Sequence, residues 1–343
     1  MRVGMYYGNR DVRVKEMPRP EIGRGEILVR VMASGICGTD VVEWYRRDRV
    51  PLVLGHEIAG EIAEVGEGVK QYKVKDRISA SHHVPCGMCH YCLMGHHSVC
   101  DTLRKTNFYP GGFSEFLKIP AINVEKSGVY RLPDELSFEE ATFTEPLACV
   151  IRGQRLARYR PGQALLVIGS GISGLLHIKL AKARGFGKII ATDINNFRLK
   201  KAREFGADHV IHAKEDVAAK VRDFNGGGLA DLVILCAGAR SVFEQAFKSV
   251  DRGGTILVFA SAEEDLKIPL PINEFFWKNE VTILSSYAAN PEEYRDALEL
   301  IGGGKVNVKD MITHRFGLGD IQKGFDLVRD PKESIKVIIE PHK

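Results

Sequence analysis

The spacing of hydrophobic residues along the chain changes near residue 162. Before that point, short apolar runs are separated by Gly and Pro, a pattern typical of an irregular and mostly antiparallel β domain. The runs predicted to form strands are Ile27–Val31, Ile58–Val65, Arg77–Ala80 and Phe113–Ile119. We expect the chain up to about residue 150 to fold as one region.

After residue 162, apolar runs alternate with helix-length segments of 3.6-residue periodicity. The predicted strands are Ala164–Ile168, Lys188–Thr192, His209–Ile211, Leu232–Cys236, Thr255–Phe259 and Val281–Leu284. The predicted helices include Ile172–Arg184, Phe197–Phe205, Val217–Phe224 and Ser241–Val250. Strands joined by crossover helices imply a doubly wound, parallel, six-stranded sheet covered on both faces, so the predicted fold class is α/β.

The segment after about residue 288 has a different pattern again. It contains an amphipathic helix at Pro291–Ile301 and a terminal strand at Lys336–Ile339, and we expect it to rejoin the first region. The predicted domains are therefore residues 1–151 with 288–343, and residues 152–287. A chain of 343 residues is long enough for two domains with a substantial core.

Composition removes several classes of protein. The net charge is only +4, and Lys and Arg alternate with Asp and Glu, so nucleic acid is not an expected partner. No stretch reaches about 18 uninterrupted apolar residues and the N-terminus lacks a secretory signal, so we expect a cytoplasmic protein without a membrane partner. The cysteine count of seven is odd and fits a disulfide framework poorly, which favours thiols that bind metal.

Four cysteines on one loop have the spacing C-x2-C-x2-C-x7-C. They are Cys86, Cys89, Cys92 and Cys100. Four thiolates can surround a tetrahedral Zn2+ and leave no position for substrate, so we predict a structural zinc site. An iron–sulfur cluster also takes four cysteines, and unligated core thiols are the third alternative.

A glycine-rich motif, GSGISG, connects a predicted strand to a predicted helix. Gly169 allows a tight turn, Gly171 lets the backbone approach a pyrophosphate, and Gly174 permits close packing of the helix. The helix that begins at Ile172 attracts the phosphate charge at its N-terminus. We predict a dinucleotide site here, and a purely structural turn is the alternative.

Two further residues belong to the predicted dinucleotide site. Asp193 ends the second strand of the sheet, where a carboxylate accepts hydrogen bonds from the adenosine ribose and repels a 2′-phosphate. NAD(H) is therefore favoured over NADP(H). Gly238 follows the fourth strand, where a small residue lets the cofactor approach the edge of the sheet.

Two glycine-adjacent turns carry a thiol and an imidazole. The first is GICGTD, which contains Cys37, Thr39 and Asp40, and the second is GHE, which contains His56 and Glu57. A lone Cys is usually a small core residue and a lone His usually packs with a hydrogen bond, so neither motif is decisive by itself. A third motif, Glu145-Pro-Leu, precedes the doubly wound region.

The motifs GICGTD, LGHE, TEPLA and GSGISG, together with the cysteine loop, make the chain resemble the medium-chain zinc alcohol dehydrogenase superfamily. Within it, the chain is most similar to the sorbitol (polyol) and threonine dehydrogenases. The resemblance spans essentially the whole chain and implies a GroES-like catalytic domain, a Rossmann NAD-binding domain and a homodimer or homotetramer. It also implies two Zn2+ per chain, one catalytic and one structural, and hydride transfer from a secondary alcohol to NAD.

The resemblance implies a role for each residue of the two turns. Residues matching Cys37, His56 and Glu145 hold the catalytic zinc in the family, the last directly or through water, and Glu57 can enter the metal shell on exchange. Thr39 matches a hydroxyl that accepts the substrate proton and passes it onward. Arg198 matches basic residues that lie over the adenine or ribose, and a solvated helix residue is the alternative.

Three positions depart from the family pattern. Val42 stands where a His often continues the proton relay, and Ser286 stands where sorbitol-type members have an Arg before the residue matching Tyr287. Glu43 replaces an aromatic residue. The sorbitol pocket is therefore not reproduced, and we expect Glu43 and Tyr287 to contact a polyol, cyclitol, sugar alcohol or 3-hydroxy amino acid. A zinc-free reductase and a non-catalytic dinucleotide-binding scaffold are the alternative functions.

Overall fold

The computed structural model describes residues 1–343, and the chain divides into two compact units. Unit 1 consists of Met1–Ala148 and Ala288–Lys343, and unit 2 is Cys149–Tyr287. No helix in either unit is both long enough and apolar enough to cross a membrane.

The N-terminal part of the chain forms short strands and short helices. Its strands are β1 (Arg2–Gly8), β2 (Asp11–Glu16), β3 (Ile27–Gly35), β4 (Leu52–Val53), β5 (Glu57–Val65), β6 (Arg77–Ala80), β7 (Phe116–Ile119) and β8 (Val129–Arg131). Its helices are α1 (Glu43–Arg46), α2 (His90–Leu93), α3 (Asp101–Lys105), α4 (Ala121–Glu125), α5 (Phe138–Ala141) and α6 (Thr144–Leu156). The chain passes from unit 1 to unit 2 within α6.

Unit 2 alternates strands with helices. Its strands are β9 (Leu165–Ile168), β10 (Ile189–Asp193), β11 (His209–His212), β12 (Ala230–Leu235), β13 (Val250–Val258) and β14 (Thr282–Ser285). Its helices are α7 (Ile172–Ala183), α8 (Asn196–Glu204), α9 (Val217–Phe224) and α10 (Arg240–Ser249). The chain then returns to unit 1, where it forms α11 (Pro291–Gly302), β15 (Ile312–Gly317), α12 (Ile321–Arg329) and β16 (Lys336–Glu340).

The six strands of unit 2 form one parallel sheet in the order β11-β10-β9-β12-β13-β14. Apolar side chains from both faces of this sheet are fully buried, for example Leu166 and Val233 on one face and Val167 and Ile234 on the other. The prediction of a doubly wound α/β fold is therefore confirmed. The strand order reverses between β9 and β12, and ligands of such sheets bind at the carboxyl ends of the strands at this point.

Unit 1 contains two sheets. The smaller has the order β2-β1-β4, and the larger runs β15-β16-β3-β5-β6-β8, with β7 also paired to β3. All pairings of the larger sheet are antiparallel except that of β15 with β16. The predicted mostly antiparallel β region is confirmed, although the strand predicted from Phe113 begins only at Phe116. Phe113 instead donates its N–H to the Leu54 carbonyl at 2.9 Å, outside the regular ladder.

Candidate active site

Two strand ends bring Cys37 and His56 together. The strand β3 ends at Gly35 and β5 begins at Glu57, and the antiparallel register pairs these two residues. Cys37 lies just after the end of one strand, and His56 lies just before the start of the other. Because antiparallel strands place the end of one beside the start of its neighbour, two motifs that are distant in sequence become adjacent in space.

The local backbone fixes both side chains. Cys37 caps a 3-10 turn at Gly38–Val41, where its sulfur accepts the Thr39 N–H at 3.4 Å and the Asp40 carboxylate accepts the Cys37 N–H at 3.0 Å. Gly55 has a φ of +95°, and a Cβ at this position would lie 2.8 Å from the Phe113 backbone nitrogen. Only glycine fits this turn, which delivers His56 to the start of β5.

The ligand atoms of Cys37, His56 and Glu57 lie within 4.8 Å of one another. Thiolate, imidazole and carboxylate are donors that zinc accepts, and three protein ligands leave a fourth position for substrate. The Thr39 hydroxyl donates to the Cys37 sulfur at 3.3 Å, so it borders the same cluster. The donor set therefore fits a zinc ion of the catalytic type.

A buried carboxylate supports the imidazole of His56. Oδ1 of Asp40 lies 3.6 Å from Nδ1 of His56, and the Asp40 side chain is fully buried. Burial opposes the charged form of His56, but the charge of Asp40 and a hydrogen bond with Cys37 outweigh it and raise the pKa of His56 to about 10. Because Asp40 faces Nδ1, Nε2 is left for a metal, as is usual around ligating histidines.

Glu57 is held by a second buried charge. The Lys336 ammonium contacts the Glu57 carboxylate, and their side chains are only 1% and 2% exposed. The terminal strand β16 pairs with β3 next to Gly35, which brings Lys336 to this position. A Cβ on Gly35 would overlap the Glu57 carboxylate and the end of the Lys336 side chain, so the pair requires glycine there.

Lys336→Met is expected to destabilise the protein by about 3–5 kcal/mol, because Glu57 is left buried without its countercharge. Denaturant unfolding measures the loss. The double variant Glu57→Gln/Lys336→Met removes both charges and should recover most of the stability. If the stability lost in the double variant equals the sum of the losses in the single variants Glu57→Gln and Lys336→Met, the two side chains are not coupled.

Glu145, the predicted third ligand, lies near the cluster but outside its compact group of ligand atoms. It is the second residue of α6 and is 8% exposed. Its charge contributes to the raised pKa of His56, so the two side chains are close. The compact group contains Glu57 instead. The site thus offers two carboxylates, and Glu57 already has a cationic partner.

Two histidines for which the sequence predicts no role in the site lie beside the cluster. The rings of His56 and His82 have their centroids 4.8 Å apart, and His82 and His83 stack at 3.8 Å. Burial is the main cause that lowers the pKa of both, well below the usual value for His82 and to about 4 for His83. Both imidazoles are therefore neutral at pH 7.

The two residues predicted to contact substrate lie in different units. Glu43 begins α1, is exposed, and accepts the Asn9 N–H at 3.4 Å. Tyr287 is the last residue of unit 2 and is 52% exposed. Both side chains are accessible, and their contact with a substrate remains a prediction.

The four cysteines of the loop converge on a second site. The ligand atoms of Cys86, Cys89, Cys92 and Cys100 lie within 4.8 Å of one another. The sulfur of Cys92 lies 3.9 Å from that of Cys86 and 3.6 Å from that of Cys89. A tetrahedral ion with Zn–S bonds of about 2.3 Å would separate its sulfurs by roughly 3.8 Å, so the spacing fits zinc. Backbone N–H donors from Met88 and Cys89 lower the pKa of Cys86, which favours the thiolate that binds metal.

The glycine-rich turn follows β9 and opens α7 as predicted. Gly169 has a φ of +96°, and a Cβ on Gly174 would overlap the Gly169 carbonyl oxygen. A Cβ on Gly171 would meet nothing closer than the Arg198 guanidinium at 3.9 Å. The backbone is therefore tightly packed at Gly169 and Gly174, whereas space remains in front of Gly171. This space lies beside the first N–H groups of the helix that begins at Ile172. This arrangement fits a pyrophosphate.

Asp193 and Arg198 lie beside this turn. The Asp193 carboxylate accepts the Ser170 N–H and the Asn195 N–H, both at 2.8 Å. Nη1 of Arg198 lies 3.8 Å from Asp193 Oδ2, and the Arg198 side chain is 22% exposed, so it is not a freely solvated residue. Gly238 follows β12, and a Cβ there would overlap the Ser261 carbonyl oxygen, so packing alone already requires glycine.

Known proteins match both units of the chain. Residues 23–134 match the alcohol dehydrogenase GroES-like domain, and residues 173–302 match the zinc-binding dehydrogenase family. The chain is 32% identical to sorbitol dehydrogenase of Bacillus subtilis (strain 168), with 100% of this chain and 98% of that protein covered. It is 34% identical to L-threonine 3-dehydrogenase of Bacillus velezensis, with 96% and 95% covered.

A solved structure extends the match to the whole fold. A candidate zinc-binding dehydrogenase from Sinorhizobium meliloti 1021 bound to NADP has a TM-score of 0.87 and 27% identity, with 99% of each chain covered. Fold, donor sets and sequence relatives agree. The chain therefore belongs to the medium-chain zinc alcohol dehydrogenase superfamily, close to its sorbitol and threonine dehydrogenases.

Proposed function

We propose that the protein oxidises a secondary alcohol to a ketone with NAD+, using one catalytic and one structural Zn2+ per chain. Its family makes it an oxidoreductase of CH–OH donors that uses zinc and a nicotinamide cofactor. The observation that carries the proposal is the convergence of the Cys37, His56 and Glu57 ligand atoms within 4.8 Å, beside the Thr39 hydroxyl.

The proposed ligands of the catalytic zinc are Cys37, His56 and Glu145, the last directly or through water. Glu57 is paired with Lys336, so we assign it to the metal shell only when water or substrate exchanges. When bound, the zinc supplies Lewis acidity that lowers the pKa of the alcohol, and the nicotinamide ring accepts the hydride. The proposed substrates are polyols, cyclitols, sugar alcohols and 3-hydroxy amino acids.

Thr39 is the proposed proton acceptor for the substrate hydroxyl. Its Oγ1 lies 3.3 Å from the Cys37 sulfur, next to where the substrate oxygen must bind. It accepts the substrate proton and passes on its own. Val42 replaces the family's relay His, and Thr39 is exposed, so the proton leaves to solvent. Asp40 keeps the His56 ring oriented during this transfer.

NAD(H) is the proposed cofactor because of Asp193. Its buried carboxylate ends β10 beside the glycine-rich turn and can accept hydrogen bonds from the two ribose hydroxyls. A 2′-phosphate at the same position would meet a like charge. Arg198, 3.8 Å from that carboxylate, is compensated by it and so offers a phosphate less attraction.

Asp193→Ala is expected to relax the preference for NAD+. The change removes the acceptor for the ribose hydroxyls and frees Arg198 to pair with a 2′-phosphate. The ratio of kcat/KM for NAD+ to that for NADP+ should fall roughly 10- to 100-fold. The control is Asp208→Ala. This exposed carboxylate precedes β11 and accepts the N–H of Ile189 at the start of β10, whereas Asp193 ends β10, so the ratio should stay unchanged. An unchanged ratio in Asp193→Ala would refute the assignment.

We also propose that the chain forms a homodimer or homotetramer. The strand β14 is the outermost strand of the six-stranded sheet, so its free edge can extend the sheet into a second copy. Sedimentation analysis tests this, and a monomer at working concentration would contradict it.

A substrate screen with metal analysis tests the proposed function. NAD+ reduction is followed with polyols, cyclitols, amino sugars, threonine and simple secondary alcohols, and zinc is counted per chain. Turnover with about two Zn2+ per chain is expected. One Zn2+ without turnover of any alcohol would favour a non-catalytic scaffold, and reduction of alkenes or quinones without zinc at Cys37 would favour a zinc-free reductase.

A further inference from the structure

Arg46 is turned inward toward the catalytic cluster, although its neighbours on α1 are exposed. Its side chain is 13% exposed, and its Nη2 lies 3.5 Å from the Thr39 carbonyl oxygen. It also lies 3.8 Å from Asp40 Oδ1. Burial is the main cause that lowers the pKa of His82 and His83, and the charge of Arg46 lowers both further. The guanidinium therefore lies near both rings.

The guanidinium of Arg46 lacks enough acceptors inside the protein. It carries five N–H donors, but its one hydrogen bond, to Thr39, is long at 3.5 Å. Its Nε is buried without a hydrogen-bond partner, and so is Oδ1 of Asp40, which forms an ion pair with Nη2 at 3.8 Å but is too far from it for a hydrogen bond. A buried charged donor without an acceptor is costly, so an acceptor from outside the protein would be bound strongly.

We propose that Arg46 binds an oxyanion, a carboxylate or phosphate, carried by the substrate beside its secondary hydroxyl. The inference rests on the proposed function and narrows it to anionic secondary alcohols. The planar guanidinium matches two oxygens of a carboxylate or phosphate at once, which Lys cannot do. Since Arg46 adjoins the backbone of Thr39, such an anion would orient the carbinol toward the Thr39 hydroxyl.

Glu43 is compatible with this assignment. It lies three residues before Arg46 on α1, and the charges of both residues act on the phenol of Tyr6. Burial raises the pKa of Tyr6 most; the charge of Glu43 raises this pKa further, and the charge of Arg46 lowers it. A substrate with an ammonium or hydroxyl group besides the anion can therefore satisfy both residues. A 3-hydroxy amino acid and a polyol phosphate both meet this description.

Matched substrate pairs test the assignment. One pair is 3-hydroxybutyrate and 1,3-butanediol, and the other is glycerol 1-phosphate and glycerol; each pair has the same secondary hydroxyl with and without the anion. The wild-type protein should prefer the anionic member of at least one pair by about tenfold or more in kcat/KM. The pair with the larger preference identifies carboxylate or phosphate as the bound group.

Arg46→Gln should lower kcat/KM for the preferred anionic member on the order of 100-fold, mainly through KM, and leave its neutral partner nearly unchanged. Arg46→Lys, which keeps the charge without the planar fork, should recover part of the loss and serves if the Gln variant does not fold. Arg49→Gln is the matched control, because both arginines lie over the Tyr45 ring, at 4.7 and 4.9 Å, but Arg49 is exposed.

Two outcomes would overturn the proposal. One is a wild-type protein without preference for either anionic member. The other is an equal loss for charged and neutral partners in Arg46→Gln, which would make Arg46 only a positioning residue for Asp40. If no alcohol is turned over, the proposed function fails separately, and calorimetric titration with inorganic phosphate and 3-hydroxybutyrate decides: weaker binding by Arg46→Gln supports an anion site, and equal binding refutes it.

Discussion

Replacing Cys37 by Ser, or His56 by Ala, is expected to reduce turnover on the order of 1,000-fold or more. Each change removes one of the proposed zinc ligands and with it the several kcal/mol of charge stabilisation that the metal supplies. NADH binding should be retained, because the glycine-rich turn and Asp193 belong to unit 2. Steady-state NAD+ reduction measures the first effect and NADH fluorescence titration the second.

Matched substitutions separate loss of the ligand from loss of the fold. His90→Ala changes an exposed histidine of the cysteine loop, and Cys149→Ser changes a half-buried cysteine of α6. Both should keep near wild-type activity and zinc content. Retained activity in Cys37→Ser or His56→Ala would reject zinc chemistry at this cluster.

Replacing Cys92 by Ser is expected to destabilise the cysteine loop and reduce the zinc content from two ions to one. The buried cluster of this loop consists mainly of Cys92, Cys100 and Leu103, too little apolar surface to hold the loop without a metal. If about 3 kcal/mol is lost, the melting temperature of unit 1, which contains the loop, should fall by roughly 6–12 °C when this unit unfolds as one domain. Calorimetry and metal analysis on the same sample measure both effects.

Met88→Ser is the control for the loop. Met88 lies between two of the cysteines but is 72% exposed, so its replacement should change neither the zinc content nor the melting temperature. If Cys92→Ser kept two zinc ions and full stability, the four thiols would be unligated core residues. An iron–sulfur cluster would instead be revealed by iron in the metal analysis and by visible absorbance.

Local patterns in the sequence were enough to predict most of unit 2. Strands of a parallel sheet are buried on both faces, so they stand out as apolar runs, and the intervening helices show their own periodicity. The predicted helix Val217–Phe224 has those bounds in the structure, and other element ends differ by a few residues. The hairpin β1–β2 and helix α12 were not predicted. Helix α12 is short and contains Gly324, and it buries Ile321 and Phe325 only because β16 and β2 pack against it.

The residues of the candidate site also fall into two groups, those that the sequence indicated and those that only the structure revealed. Cysteine spacing and the glycine-rich turn are local features, and they indicated the cysteine loop and the dinucleotide turn. Cys37 and His56 were predicted as zinc ligands only through the resemblance that several motifs carry together. Asp40 lies in the GICGTD motif, but the sequence indicated no role for it. Lys336 could have been suspected, because a lysine begins an otherwise apolar strand. Nothing in the sequence indicated that Arg46 points toward the site, because an arginine in a short polar helix is usually solvated.

The sequence by itself determined the donor types, the α/β architecture and the glycines that its turns require, because these depend on residues close together in the chain. Only the tertiary structure decided which charges are paired, because strand register joins residues as distant as Lys336 and Glu57. Burial makes each unpaired charge costly, so such charges are paired across long distances in sequence. Pairing of this kind produces no local sequence pattern from which it could be predicted. It is the pairing of β3 with β5 and β16 that turns separate motifs into one site.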